Sequence, residues 1–121
     1  MKYVRLFADS EGVSHFEDVE VPTKSMNFAP PAEPAHLSEP LSAAQVMFVR
    51  LPVGWPGDWH PSPKRQFSIQ LEGELQITAG DGETRTFKAG NVRLLEDTLG
   101  KGHQTKVIGD QDVLNAIVQL D

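Results

Sequence analysis

The sequence predicts an all-β fold in one domain, a barrel or sandwich of many short strands. Three observations predict it. Short runs of alternating apolar and polar residues follow one another in quick succession, glycine- and proline-containing turns punctuate them, and no convincing amphipathic helix or internal repeat interrupts the series. With 121 residues and a mass of 13.3 kDa, the chain can enclose one core but not two.

The elements can be justified in chain order. Alternation from Tyr3 to Ala8, turn chemistry from Asp9 to Gly12 and a second run from Val13 to Val21 read as a hairpin. Between Pro22 and Pro40 stand five prolines with almost no periodicity, so this stretch reads as an irregular strap rather than a helix. A loop of that length in a small domain usually covers something. Strand character resumes at Ala44 to Leu51, breaks over residues 52–63, and returns at 66–71, 74–79, 83–88, 92–96, 103–108 and 112–120. Glu72 and Gly73, Gly80 to Gly82, Ala89 to Asn91, and Gly109 with Asp110 supply most of the turns. In the last run, Val113, Ile117 and Val118 favour strand over helix.

Parity sharpens the run at 66–71. Gln66, Ser68 and Gln70 share one face, and Phe67, Ile69 and Leu71 the other. In an ordinary sandwich the polar row faces water. In a small barrel that holds a ligand it lines the cavity, and the apolar row packs on a second sheet, the hairpin or another subunit. Both arrangements stay open at this level.

Composition excludes several classes of function. Charged residues make up 23% and hydrophobic ones 39%, a globular balance, and the net charge of −6 with one adjacent basic pair, Lys64 and Arg65, argues against nucleic acid or an anionic membrane as partner. The absence of cysteine fits a reducing compartment, with cytoplasm as the default. The first residues lack the apolar run of a secretory signal, and nowhere do eighteen apolar residues occur in succession. The expectation is a soluble cytoplasmic protein.

Two segments carry both histidine and glycine. The first runs Gly54-x5-His60-x-Ser62-x3-Gln66-x6-Gly73, and the second contains Gly90, Gly100 and His103. On these residues the chain resembles a small single-domain cupin, the double-stranded β-helix or jelly-roll family. Glu96 stands where the family's second motif has proline, and Val107 where it has asparagine. The resemblance implies a cupin barrel over residues 1–121, its motif-bearing core about 41–120 and the hairpin and Pro-rich strap in 1–40.

The family's usual metal set is two His and one Glu from the first motif and one His from the second. Carried over residue by residue, it leaves His60 and His103, with Ser62 in place of the second His and Gln66 in place of Glu. Without the carboxylate a divalent ion keeps its full charge in the pocket, so the implied site is weak or facultative: one transition metal, zinc, nickel or iron, on His60, Gln66 and His103. The metal-free reading uses the same three residues catalytically. Two imidazoles exchange protons near neutral pH while Gln66 donates an amide hydrogen bond, which suits isomerisation, epimerisation or hydration of a small polar metabolite. A non-catalytic ligand-binding or sensor barrel is the alternative.

Substrate-binding candidates are Arg50, whose fork suits a carboxylate, Trp59 for stacking, and Ser68 and Gln70 from the polar row. Trp55 reads more simply as packing for the proline-rich loop. Of the neighbours Glu96 and Asp97, at most one can face the pocket, since adjacent strand residues point oppositely. His15 and His36 read as surface residues, although His36 on the strap is within reach of the cavity mouth. The expected partners are a small-molecule ligand and a second copy of the chain, joined through sheet packing.

Overall fold

A computed structural model describes residues 1–121. The chain contains eleven strands and no helix: β1 (Lys2–Ala8), β2 (Ser14–Glu20), β3 (Lys24–Met26), β4 (Ala35–Leu37), β5 (Ala43–Leu51), β6 (Gln66–Glu72), β7 (Glu74–Thr78), β8 (Thr84–Lys88), β9 (Val92–Glu96), β10 (Gln104–Ile108) and β11 (Val113–Leu120). No helix is long and apolar enough to cross a membrane.

Six strands form one sheet in the order β2-β1-β9-β6-β11-β5, and three form a second in the order β10-β7-β8. Sequence neighbours pair as antiparallel hairpins, β1 with β2 and β7 with β8, whereas β1 meets β9 in parallel. Isolated bridges between Pro56 and Lys106 and between His60 and His103 lay the 56–60 segment along β10, which widens the small sheet.

The apolar core lies between the sheets. It joins Leu6, Leu95 and Val113 of the large sheet to Leu75, Ile77, Ala79, Phe87 and Val107 of the small-sheet layer. Burial of such side chains is the main favourable term in folding. Alternation is strict on β7, where Leu75 and Ile77 are buried and Glu74 is exposed.

The central strands of the large sheet are turned the other way. On β6 the buried row is Gln66, Ser68 and Gln70, and on β11 Asn115 and Gln119 are buried beside Val113 and Ile117. Phe67, Ile69, Leu114, Ala116 and Val118 face outward and are half-buried, while Leu71 and, on the edge strand β5, Val46 and Phe48 are exposed. The polar row therefore lines the interior, which resolves the choice that parity alone left open.

The strap departs from the expectation of irregular chain, because β3 and β4 pair within it as a short antiparallel hairpin. Each has three residues, too few for an alternation to register. Ser38 and Glu39 at its end lie with Leu41 beside Tyr3, Val19, Phe67 and Val92, along a groove on the outer face of the large sheet. His36 pairs with Ser25 on this hairpin and does not reach the interior cavity.

Candidate functional site

His60 and His103 meet through the backbone first. Each donates its N–H to the other's carbonyl at 3.0 Å, the pattern of directly opposed residues in an antiparallel ladder, so both rings emerge on one side. The ring centroids are 4.8 Å apart. Gly102 permits this approach: its φ is +79°, and a Cβ there would overlap the His60 carbonyl.

Each ring is oriented by its Nδ1. In His60 that nitrogen lies 2.8 Å from the Asp58 carbonyl, which can only accept, so Nδ1 carries the proton. In His103 it lies 2.6 Å from a carboxylate oxygen of Asp97. The other Asp97 oxygen accepts the Ser62 hydroxyl at 2.7 Å, and the Ser62 N–H donates to the Asp97 carbonyl at 3.0 Å. Ser62, Asp97 and His103 are all buried. On both rings Nε2 remains as the nitrogen with no protein partner.

Both imidazoles line an interior cavity of about 250 Å³. Its other polar lining is Ser68, Arg93, Thr105 and Asn115, and its apolar walls are Val49, Leu51, Trp55, Leu75, Ile77, Leu95 and Ile117. Trp55 also packs against the core, the role expected of it. The volume falls just below the range of about 300–1,000 Å³ typical of pockets for drug-sized ligands, so the guest must be small.

Among solved structures, the cupin domain of Schizosaccharomyces pombe Cnp3 is similar to 89% of this chain and to 73% of its own, with a TM-score of 0.51 and 19% identity. The chain has the cupin fold. A putative ethanolamine utilization protein Q from Salmonella typhimurium is matched over 99% of this chain and 95% of its own, with a TM-score of 0.40 and 17% identity. No family model and no curated protein matches the sequence.

Other expected site residues of this cupin-fold chain are placed elsewhere. Gln66 is buried, but it does not line the cavity, because its Oε1 accepts the Gln119 side-chain amide at 3.1 Å. Gln70 is likewise committed: its Nε2 donates to the carbonyls of Gly73 and Phe87 at 2.8 and 3.0 Å, tying the β6–β7 turn to β8. Arg50 stands on the face of Val46 and Phe48 as expected, but that face is the outer one, where Arg50 lies 3.9 Å from both Glu72 and Asp112. Trp59 sits outside the cavity with the Lys101 ammonium 4.1 Å from its ring centroid. Ser68 alone of the substrate-binding candidates lines the cavity.

The donor set does not fit a resident divalent metal. Two Nε2 atoms are at hand, but Gln66 is turned to Gln119, Ser62 donates to Asp97, and both Asp97 oxygens are occupied. No group of three or more His, Cys, Asp or Glu side chains in the chain is arranged to hold a metal ion. Structural and catalytic sites alike need three or more protein ligands.

Two residues of the site are only partly legible in the sequence or not recognised there. Asp97 was half found, since parity separates it from Glu96. The Glu96 side chain points outward to Arg5 and Arg65; burial raises its pKa, but the hydrogen bonds and charges of the two guanidinium groups together outweigh that and hold it below the usual carboxylate range. Arg93 was missed, although a cation inside the apolar run Val92 to Leu95, on the parity of Leu95, is a readable signal. Its burial pushes the guanidinium down to about 10, which still leaves it protonated at neutral pH.

Proposed function

We propose that this cupin takes a small polar metabolite into its interior cavity and exchanges protons with it through His60 and His103. The single observation that carries the reading is the buried relay of Ser62, Asp97 and His103 set against the His60 ring. A carboxylate on Nδ1 fixes tautomer and orientation and stabilises the imidazolium when Nε2 accepts a proton. The neighbouring imidazole, held by a neutral carbonyl, lacks that support. His103 Nε2 is thus suited to take a proton from one carbon of the guest and, as the imidazolium so formed, to return it at another, as isomerisation requires, with His60 as the second polar ring facing the guest.

The test has two stages. Titrating isotope-labelled protein with pools of small polar metabolites should perturb the resonances of Ser68, Thr105 and Asn115. A library that leaves them unmoved while the protein stays folded ends the reading. For a ligand that binds, deuterium uptake from solvent should depend on His103 and be lost in His103→Gln with binding retained. Binding without exchange in the wild type would reduce the protein to a binding barrel.

The same reading takes the protein as a homodimer joined through the outer face of β5 and β11. Val46 and Phe48 are exposed there, and copies each carrying a net charge of −6 repel least where they are apolar. Sedimentation should show a dimer that dissociates on Phe48→Glu. A monomeric wild type would refute it.

A further inference from the structure

Inside the barrel, Arg93 is the feature that the imidazole pair leaves unexplained. It lines the cavity, is 3% exposed, and takes part in no ion pair. Its Nη1 donates to Gln70 Oε1 at 2.8 Å, and its Nη2 to Ser68 Oγ at 2.8 Å and Asn115 Oδ1 at 3.2 Å. All three acceptors are neutral, and beside the guanidinium lies the Phe87 ring, 4.9 Å from its centre. The Nε–H is the one buried side-chain polar group in the chain without a partner.

A buried cation with no counter-ion is costly, and three neutral hydrogen bonds compensate only part of the lost hydration. A well-packed apolar side chain would fill the same space without that penalty. The arrangement becomes favourable when a guest supplies the negative charge. We propose that the cavity is a site for a small carboxylate, paired with the uncompensated charge of Arg93 where that side chain lines the wall, with its carbon body along Leu75, Ile77 and Ile117 toward His60 and His103. Because Nη2 spends both of its hydrogens on Ser68 and Asn115, the guest meets the cation through its charge rather than through a two-pronged fork. A phosphate dianion would call for more than one cation, and the apolar walls favour a ligand whose far end is hydrocarbon. This inference rests on the small-molecule reading of the cavity and names its substrate class.

Matched pairs of equal size test it: butyrate against butyramide, and 2-hydroxybutyrate against 2-hydroxybutyramide, titrated into wild type at pH 7 and followed by calorimetry and by the Arg93 Nε–H resonance. Each acid should bind at least tenfold more tightly than its neutral partner and shift that resonance. Arg93→Gln should abolish the preference, and Arg93→Lys, which keeps the charge, should retain much of it. Should neither variant fold, the wild-type Nε–H response to butyrate and its silence to butyramide carry the test. Neutral members that perturb Ser68 and Asn115 as strongly as the acids would overturn the carboxylate and spare the small-molecule reading. If neither class reaches the cavity, both fall.

Discussion

The two faces of the large sheet have exchanged the roles they play in most barrels. Along β6, β9 and β11 the interior receives Gln66, Ser68, Gln70, Arg93, Asn115 and Gln119, while Phe67, Ile69, Leu71, Leu114, Ala116 and Val118 point outward. Across the interior, the small sheet keeps the ordinary pattern, with Leu75, Ile77, Phe87 and Val107 inside. One wall is therefore mostly apolar, and the other carries a polar row beside its apolar residues. An apolar side chain gains by burial whatever its neighbours, whereas each buried polar group needs a named partner.

The largest effect expected from this contrast is on the small sheet. Leu75→Ala should destabilise the fold by about 2–5 kcal/mol in denaturant unfolding, because Leu75 is 1% exposed and its loss leaves a cavity in the core. A Ser68→Ala change on the opposite wall, measured the same way, should cost clearly less; equal losses would show that both walls carry the fold alike.

Next comes the hinge between the walls. Asp97→Ala strips the partner from the Ser62 hydroxyl and from His103 Nδ1 at once, both buried, and about 1–3 kcal/mol should be lost. The His103 ring resonances should report a changed tautomer. Unchanged ring signals would mean that Asp97 does not orient the imidazole.

On the outer face, Phe48→Ser should alter the unfolding free energy of the isolated chain by no more than about 0.5 kcal/mol, since Phe48 is 70% exposed. Its effect should fall on self-association alone, read by sedimentation. A large stability loss at high dilution would show that the outer face is packed within the single chain.

The smallest effect is a pH dependence away from both walls. His15 bridges Asp9 at 2.7 Å and Asp81 at 3.0 Å, and the Asp9 hydrogen bond chiefly raises its pKa above the ordinary 6.5, against slight desolvation. A raised folded-state value means that the protonated ring stabilises the fold below the unfolded pKa. That contribution fades as pH rises through the folded value. Thermal stability should therefore decline slightly over this window, and His15→Ala should flatten the profile. An unchanged slope in the variant would exclude His15 as its source.

Much of the strand layout was legible in the sequence, because a period of two and the turn residues are local properties. The runs at 66–71 and 92–96 appear as β6 (Gln66–Glu72) and β9 (Val92–Glu96), within one residue at each end. The hairpin inside the strap was not legible, since Lys24–Met26 and Ala35–Leu37 hide too little surface to impose a pattern. His60 and His103 stand out in the sequence as a pair and Gln66 and Gln70 as members of one row, but nothing local shows what the two amides bind. Their partners are Gln119, Phe87, Gly73 and Arg93, most of them distant in sequence.

By itself the sequence determined the all-β architecture, the alternation on each strand and the two glycine-marked histidine segments, because these follow from backbone sterics and from which side chains share a face. Only the tertiary structure decided which face of β6 is the inside, that Asp97 rather than Gln66 serves the His103 imidazole, and that Arg93 lies buried without a counter-charge. Those outcomes depend on hydrogen bonds between strands that are remote along the chain, and no local pattern records which polar group will be left without a partner.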